Sequence, residues 1–257
     1  MNKLYKFFFL TLFIALTSCV PHKDVVYLQG NLNNEPIEQV AQKPYRLQIN
    51  DVVAIQIKAL DPKLVEMFAM SEGQGGNSDL YMSGYTINDH GSIRIPVLGE
   101  INAIGHTTEE LRLKIEKQLL SDYFHKEADI FVNVKLGGIR YTINGEIGTP
   151  GTKNIMQDKL TILEAIANSG DVPITGNKKE VMLIRQLPQG TQIHTLDLTS
   201  VDLLKSPYYY IQPNDYIYIK PIKQKNWGVG TNGLQSFTTV LSALTLVFTT
   251  YLLIKRN

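Results

Sequence analysis

The sequence predicts an α+β protein made of two small mixed domains and a C-terminal helix long enough to span a membrane. Between residues 45 and 222, short segments of alternating apolar residues are interleaved with a few helical patterns. Turns rich in Asn, Asp, Pro and Gly separate these segments. After residue 236 an uncharged apolar run of about 18 residues follows, a helix length that approaches the bilayer core of about 30 Å.

The composition limits the possible functional classes. The chain has 257 residues, a formal net charge of +1 and one cysteine. There is no basic excess of the kind that binds nucleic acid, so no nucleic-acid partner is expected. The single cysteine excludes an internal disulfide framework and a cysteine-rich metal site. Without the two terminal apolar segments, roughly 200 residues remain, which is enough for one or two small domains with cores.

Residues 1–18 are predicted to be a signal peptide. Two lysines precede an apolar run at Phe7–Leu16, which is too short to span a membrane. The following Leu16–Cys19 is similar to a bacterial lipobox, so Cys19 is predicted to carry lipid and to become the new N-terminus. A plain signal peptide with an incidental cysteine is the alternative. By resemblance to bacterial lipoprotein sorting, Val20 after the cysteine favours the outer membrane.

A polar segment at 19–44 is predicted to tether Cys19 to a first folded unit at 45–139. Thr107 or Thr108 is predicted to cap a helix, and Thr107–Glu110 offers a capping box at its start. The predicted elements of this unit are a strand at 45–57, a short helix at 63–70, a glycine-rich loop at 71–78, a hairpin at 85–101 with its turn at 88–91, the capped helix, and a strand at 130–134.

A second unit is predicted at 140–222. Its elements are a strand at 142–147, a helix at 161–167 that Gly170 ends, a hairpin of 181–185 with 192–196, and a last strand at 216–219. Asn50–Ile55 and Asn214–Ile219 are similar as a turn, an aspartate and an alternating strand. Tight turns before strands favour Asn-Asp in general, so this similarity alone does not predict a repeat architecture.

Motifs for catalysis and cofactor binding are missing from the sequence. The five histidines are scattered, and no Gly-x-Ser-x-Gly nucleophile motif occurs. Gly228–Gly233 matches Gly-x-Gly-x-x-Gly, but the predicted membrane helix follows it and no strand comes after. Residues 223–236 are therefore interpreted as a hinge. The chain is predicted to be no enzyme, with no catalytic residues, no metal site and no cofactor.

The apolar run at 237–254 is predicted to be a transmembrane helix. Trp227 precedes it and Lys255 and Arg256 follow it, at positions typical of anchors at the membrane interface. Four hydroxyl side chains share one helical face: Thr238, Ser242, Thr245 and Thr249. One hypothesis is that they line a water-filled pore in an oligomer of such helices. The alternative is that they pack against neighbouring helices or bond to their own backbone.

Several of these motifs resemble one family. Tyr45–Leu47, Asn50–Asp51 and Ile87–Gly99 resemble the polysaccharide export domain of bacterial outer-membrane export proteins. Gly145–Gly151 and Leu160–Ile166 look like the start of the soluble-ligand-binding β-grasp domain that follows it in that family. The order of lipobox, export domain, β-grasp domain and C-terminal helix is also the order of the family.

The resemblance implies a lipid-anchored ring, usually described as an octamer, whose C-terminal helices form an outer-membrane pore for capsular or extracellular polysaccharide. It also implies an inner-membrane polysaccharide co-polymerase as a partner and periplasmic soluble domains. This chain has one clear β-grasp unit and a more apolar terminal helix than the family pattern. The alternative is a periplasmic glycan-binding or scaffold protein that the C-terminal helix anchors in the inner membrane, which Lys255 and Arg256 would fit by the positive-inside rule.

Overall fold

The computed structural model describes residues 21–30, 44–59, 84–124, 129–187, 189–223 and 225, together with a helix at 233–256 whose side chains are described from 238 to 251. The predicted signal peptide, Cys19, the helix at 63–70, the loop at 71–78, and most of the tether and hinge lie outside the described residues. The described residues form two units, each with one larger sheet, a two-stranded sheet and its own apolar core.

The first unit contains a three-stranded antiparallel sheet in the order β2-β1-β5. β1 pairs with β5 along nearly its whole length, and with β2 only at its start. The elements are β1 (Val52–Ala59), β2 (Tyr85–Thr86), β3 (Ser92–Ile95), β4 (Gly99–Asn102), helix α1 (Thr108–Asp122) and β5 (Ile130–Leu136). The core of this unit lies between the sheet, the β3–β4 hairpin and α1.

The hairpin differs from the sequence prediction, which placed its turn at 88–91. In the structure that turn joins β2 to β3, while β3 pairs with β4, so that Ile93 lies opposite Ile101. The backbone N–H of Ile87 donates to the carbonyl of Asp51 at 2.9 Å, which attaches the end of β2 to the turn before β1. The turn at 88–91 therefore links two different sheets, because β2 pairs with the distant β1 and β3 pairs with β4.

Helix α1 follows the sequence prediction closely. Thr107 is its N-cap, and the capping box with Glu110 is complete. Its apolar residues recur at helical spacing, and Leu111, Ile115 and Leu119 are all fully buried in the first core. Burial of three such side chains gives the helix most of its stability, because short isolated helices are marginal in water.

The second unit is built on a five-stranded mixed sheet in the order β10-β9-β12-β6-β7. The central strand β12 runs parallel to β6 and antiparallel to β9. The elements are β6 (Ile139–Gly145), β7 (Gly151–Ile155), β8 (Leu160–Thr161), helix α2 (Ile162–Ala167), β9 (Gly176–Leu187), β10 (Gly190–Leu196), a 3-10 helix (Val201–Lys205), β11 (Tyr210–Ile211) and β12 (Tyr216–Pro221).

Residues close in sequence determine where several of these elements begin or end. Helix α2 begins at a second capping box, in which Thr161 and Glu164 bond reciprocally. At the end of β6, Gly145 has a φ of 92°, and a Cβ there would lie 2.1 Å from the carbonyl oxygen of Ile219. Only glycine fits this close approach to β12. Ile162, Ala165 and Ile166 of α2 are buried in the second core, whereas the opposite face of the sheet stays partly exposed.

The C-terminal helix, α3 (Gly233–Arg256), corrects the prediction of a transmembrane helix. Its side chains are described from 238 to 251. Hydroxyl groups interrupt this stretch at Thr238, Thr239, Ser242, Thr245, Thr249 and Thr250. Within the part of the chain that the structure describes, no helix is both long and apolar enough to cross a membrane, so the predicted spanning helix at 237–254 is wrong.

Candidate functional site at the junction of the two sheets

Two turns of the same geometry lie at the junction of the two units. Gln48–Asp51 leads into β1, and Gln212–Asp215 leads into β12. The asparagine in each turn has a positive φ, 69° for Asn50 and 65° for Asn214, a conformation that asparagine tolerates better than most residues. In each turn the aspartate Oδ2 accepts the backbone N–H of the glutamine at 2.8 Å. The sequence similarity noted above therefore corresponds to a shared turn conformation.

The two turns contact each other through Asp51. The amide of Asn214 donates to Asp51 Oδ1 at 3.3 Å, and the hydroxyl of Tyr45 donates to Asp51 Oδ2 at 2.7 Å. Asp51 is only 3% exposed. Burial raises the pKa of Asp51, although the N–H of Gln48 and the hydroxyl of Tyr45 oppose this shift. Because Asp51 belongs to the first unit and Asn214 to the second, this carboxylate is a polar link between them.

A buried ion pair supports the second turn. Arg185 binds both carboxylate oxygens of Asp215, at 2.9 and 2.7 Å, and also donates to the carbonyl of Tyr210 at 3.1 Å. The two side chains are 7% and 0% exposed. Burial raises the pKa of Asp215, and the guanidinium opposes that shift. The Tyr208 ring lies against Arg185 and stacks on His194. These charges satisfy each other, so they hold the turn in place and are not free for a ligand.

A cavity of about 270 Å³ opens beside this contact. Asn50 and Asn214 line it from the two turns, and Arg140 and Asn154 line it from β6 and β7, where they lie opposite each other. Among the described residues, the guanidinium of Arg140 has neither an ion pair nor a side-chain hydrogen bond. The one acidic group in the lining is Asp51, which the bonds given above already occupy. The cavity is therefore polar, with one available positive charge.

The outer face of the second sheet carries two tyrosines. Tyr216 and Tyr218 of β12 point away from the core and stay partly exposed, while Ile217 and Ile219 between them are fully buried. The amide of Asn144 donates to the Tyr216 hydroxyl at 3.1 Å. The strand agrees with the prediction at 216–219, and the alternation of tyrosine and isoleucine is a sequence signal for such a face, although no role was predicted for the tyrosines.

Residues 21–30 form a strap on the second unit. The N–H of Leu28 donates to the carbonyl of Leu198 at 3.1 Å, and Gln29 bridges to Ser200 in parallel. Lys178 Nζ donates to the carbonyl of Val25 at 2.9 Å and lies 4.1 Å from the centre of the Tyr27 ring. The polar composition of this segment predicts a tether and contains no signal for these contacts.

The residues predicted as sites from the sequence are either outside the described residues or on α3. Cys19 and Trp227 are outside the described residues, and of Lys255 and Arg256 only the helical backbone is described. Ser242, Thr245 and Thr249 each donate their hydroxyl to a backbone carbonyl one turn earlier, at 2.8 to 3.1 Å. This bonding fits the alternative in which the hydroxyls bond to their own helix. Their role as pore-lining residues, with Thr238, stays a prediction.

The geometry of the junction suits binding better than bond chemistry. In the described ranges no group of three or more His, Cys, Asp or Glu side chains could hold a metal ion. The buried carboxylates are hydrogen-bonded to fixed partners, and the partly exposed groups are amides, hydroxyls, tyrosine rings and one guanidinium. Such groups recognise polar ligands by hydrogen bonds and stacking.

Comparison with known proteins matches the first unit to a family. Residues 39–135 match the family described as polysaccharide biosynthesis/export protein, which confirms the predicted resemblance for this part of the chain. Two relatives are each named EPS I polysaccharide export outer membrane protein EpsA. The protein from Ralstonia nicotianae is 28% identical over 157 residues, 58% of this chain and 40% of the relative. The protein from Ralstonia solanacearum is 26% identical over 163 residues, 59% of this chain and 42% of the relative. The chain thus spans about two fifths of the length of these relatives.

Proposed function

Because residues 39–135 carry the polysaccharide biosynthesis/export domain, we propose that this protein exports an extracellular or capsular polysaccharide at the outer membrane. That family match is the observation on which the proposal rests. The names of both relatives, which include export and the outer membrane, support it, and so does the lipobox-like Leu16–Cys19. In this proposal the lipid on Cys19 attaches the protein to the outer membrane and both sheets lie in the periplasm.

The protein does no bond chemistry in this proposal. Its contribution is to hold a hydrated passage open, which requires rigid domains with fixed relative positions. The link from Asp51 to Asn214 and the ion pair of Arg185 with Asp215 support that requirement, because they brace the junction between the two units. The role of the second unit as a soluble-ligand-binding β-grasp domain is part of the same proposal.

One chain cannot enclose a passage, so the proposal includes a closed ring of identical copies. An octamer is the ring size that the family resemblance implies. The polymer must reach the ring from the inner membrane, so the proposal also includes an inner-membrane polysaccharide co-polymerase as partner. The alternative, a periplasmic scaffold or glycan-binding protein at the inner membrane, is less well supported, because both relatives are named as outer membrane proteins.

Deletion and complementation in the source bacterium test the proposal. Deletion should remove polysaccharide from the cell surface and leave polymer or its precursors inside the envelope, and the wild-type gene should restore export. The Cys19→Ser variant should lose lipid labelling and outer-membrane fractionation and should restore export poorly. Ser18→Ala is the matched control, because it keeps a small residue before the cysteine and should behave as wild type.

Two results would contradict the proposal. Unchanged surface polysaccharide in the deletion strain would show that the protein is not required for export. A native mass in mild detergent equal to one chain at every concentration would contradict the ring and indicate a monomeric periplasmic protein.

A further inference from the structure

The junction cavity and the outer face of the second sheet form one continuous surface. Arg140 and Thr142 alternate along β6, so they lie on the same face of the sheet. Thr142 is adjacent to Tyr216 of β12 in the parallel register. Tyr218 follows on the same face, about 7 Å further along the strand. The surface therefore runs from the cavity at Arg140 to the two tyrosine rings, and we call it the outer-face track.

The available charge at the cavity end of this track is positive. The guanidinium of Arg140 is exposed, and no described residue pairs with it. The one acidic group in the cavity lining, Asp51, accepts from Asn214 on one oxygen and from Tyr45 and Gln48 on the other. A planar guanidinium that is free of internal partners binds a carboxylate in a two-bond geometry. Charge complementarity thus favours an anionic group at Arg140.

The remainder of the track suits sugar rings. Tyrosine rings offer flat apolar faces, and the neighbouring Thr142, Asn144 and Thr152 offer uncharged donors and acceptors for hydroxyl groups. A pyranose has the same alternation of apolar C–H faces and polar hydroxyls. An extended peptide would instead need the unpaired backbone of a sheet edge, whereas the track lies on a sheet face. The cavity of about 270 Å³ is about nine times the 30 Å³ share of one water in the liquid, which leaves room for one sugar unit.

We infer that the outer-face track binds an acidic sugar chain, with the carboxylate of a uronic acid unit at Arg140 and the adjoining rings on Tyr216 and Tyr218. This inference rests on the proposed function, because it names the class of polysaccharide that the protein handles. It assigns a specific subsite to the junction: the Asn50 and Asn154 amides bond to hydroxyls of the unit whose carboxylate Arg140 holds.

Binding to the full-length chain in mild detergent tests the inference. Calorimetric titration would use tetragalacturonate and, as a matched neutral ligand, its full methyl ester. Wild type should bind the acid at least about tenfold more tightly than the ester, and added salt should weaken binding of the acid. Arg140→Gln should abolish this preference. Arg94→Gln, an exposed arginine on β3 of the first unit, is the matched control and should leave binding unchanged.

Two substitutions of Tyr218 test whether the tyrosine ring contributes to binding. Tyr218→Ala should weaken binding of both the acid and the ester, whereas Tyr218→Phe, which keeps the ring, should bind both as wild type does. Because the Arg140 side chain is exposed and no described residue pairs with it, Arg140→Gln should fold normally. The comparison of acid and ester binding therefore remains informative even if Tyr218→Ala is unstable.

The inference is overturned if the acid and the ester bind equally, if neither binds, or if Arg140→Gln keeps the preference. It is also overturned if polyglutamate binds as tightly as tetragalacturonate, which would indicate a general site for acidic polymers. Dissociation of the oligomer by Tyr218→Ala with unchanged sugar binding would identify the track as an interface between copies. None of these results would change the outcome of the complementation experiment, so the proposed function is tested separately from this inference.

Discussion

At the residue scale, two aspartates at the same position of two similar turns have different partners. Asp215 is neutralised by Arg185, whereas Asp51 accepts hydrogen bonds from a tyrosine, an asparagine and a backbone N–H. The difference follows from the position of each aspartate in the fold. Arg185 extends from the neighbouring strand β9 toward Asp215. Asp51 lies at the edge of the first unit, where Asn214 of the second unit donates a hydrogen bond to it.

Removal of Arg185 should be strongly destabilising. Arg185→Met leaves Asp215 buried and unpaired, and breaking one partner of a buried ion pair costs about 3–5 kcal/mol of unfolding free energy. Lys220→Met is the control, because Lys220 and Glu180 form an exposed pair and its loss should cost only about 0–1 kcal/mol. Denaturant unfolding of both variants measures this. Equal effects of the two substitutions would contradict the assignment, and Arg185→Met with Asp215→Leu should recover much of the loss.

At the element scale, the strap at 21–30 and the second sheet depend on each other. The backbone of the strap pairs with the segment after β10, and Lys178 of β9 donates a hydrogen bond to the carbonyl of Val25 in the strap. If Cys19 carries lipid, only Val20 separates it from Pro21, the first residue of the strap. The strap would then hold the second unit close to the anchored end of the chain.

Lys178→Met should loosen the strap. The substitution removes the bond to the carbonyl of Val25 and the ammonium over the Tyr27 ring, so the amides of Leu28 and Gln29 should exchange about tenfold faster, equivalent to about 1.4 kcal/mol of local opening. Site-resolved hydrogen exchange is the measurement. Lys114→Met is the control, because Lys114 Nζ also donates to a backbone carbonyl, that of Asn102 at 2.9 Å, but lies on α1 of the first unit. Unchanged exchange at both amides in Lys178→Met would show that backbone pairing and the other side-chain contacts, such as Lys179 with Asp24 and Tyr27 with Asp171, hold the strap without Lys178.

At the scale of the whole molecule, the junction determines how far the two units move relative to each other. β5 ends at Leu136 and β6 begins at Ile139, so only two glycines connect the sheets. A connection this short restricts separation but not rotation, and the bond from Asn214 to Asp51 opposes rotation. A ring built from such chains needs this restriction, because a loose junction would let each copy tilt independently.

Asn214→Gly should uncouple the units. Glycine keeps the positive φ without strain and removes the amide that Asp51 accepts, so a single unfolding transition should separate into two, and small-angle scattering should show a wider range of shapes. Asn50→Gly is the matched control, because it has the same backbone conformation but makes no such bond between units. A single sharp transition in Asn214→Gly, with scattering like that of Asn50→Gly, would show that the cores themselves fix the junction.

The sequence by itself determined the elements that local chemistry specifies. Both capping boxes, the β9–β10 hairpin and the last strand were predictable, because each depends on residues a few positions apart. The motifs of the first unit were also sufficient for the family resemblance, which the match over residues 39–135 confirms. The transmembrane prediction failed because it relied on the absence of charge in 237–254 and gave no weight to the hydroxyl groups that interrupt the apolar side chains.

Only the tertiary structure decided the pairing of distant segments, and with it the candidate site. The pairing of β2 with β1, the parallel pairing of β12 with β6, the strap bridge from Gln29 to Ser200, and the contact of Asn214 with Asp51 join residues up to 171 positions apart. Such contacts form because they bury apolar surface and satisfy buried polar groups jointly, and no local pattern records which distant partner does so. The cavity at Arg140 exists only where both units meet, so its charge and shape could be recognised only after the two sheets were in place.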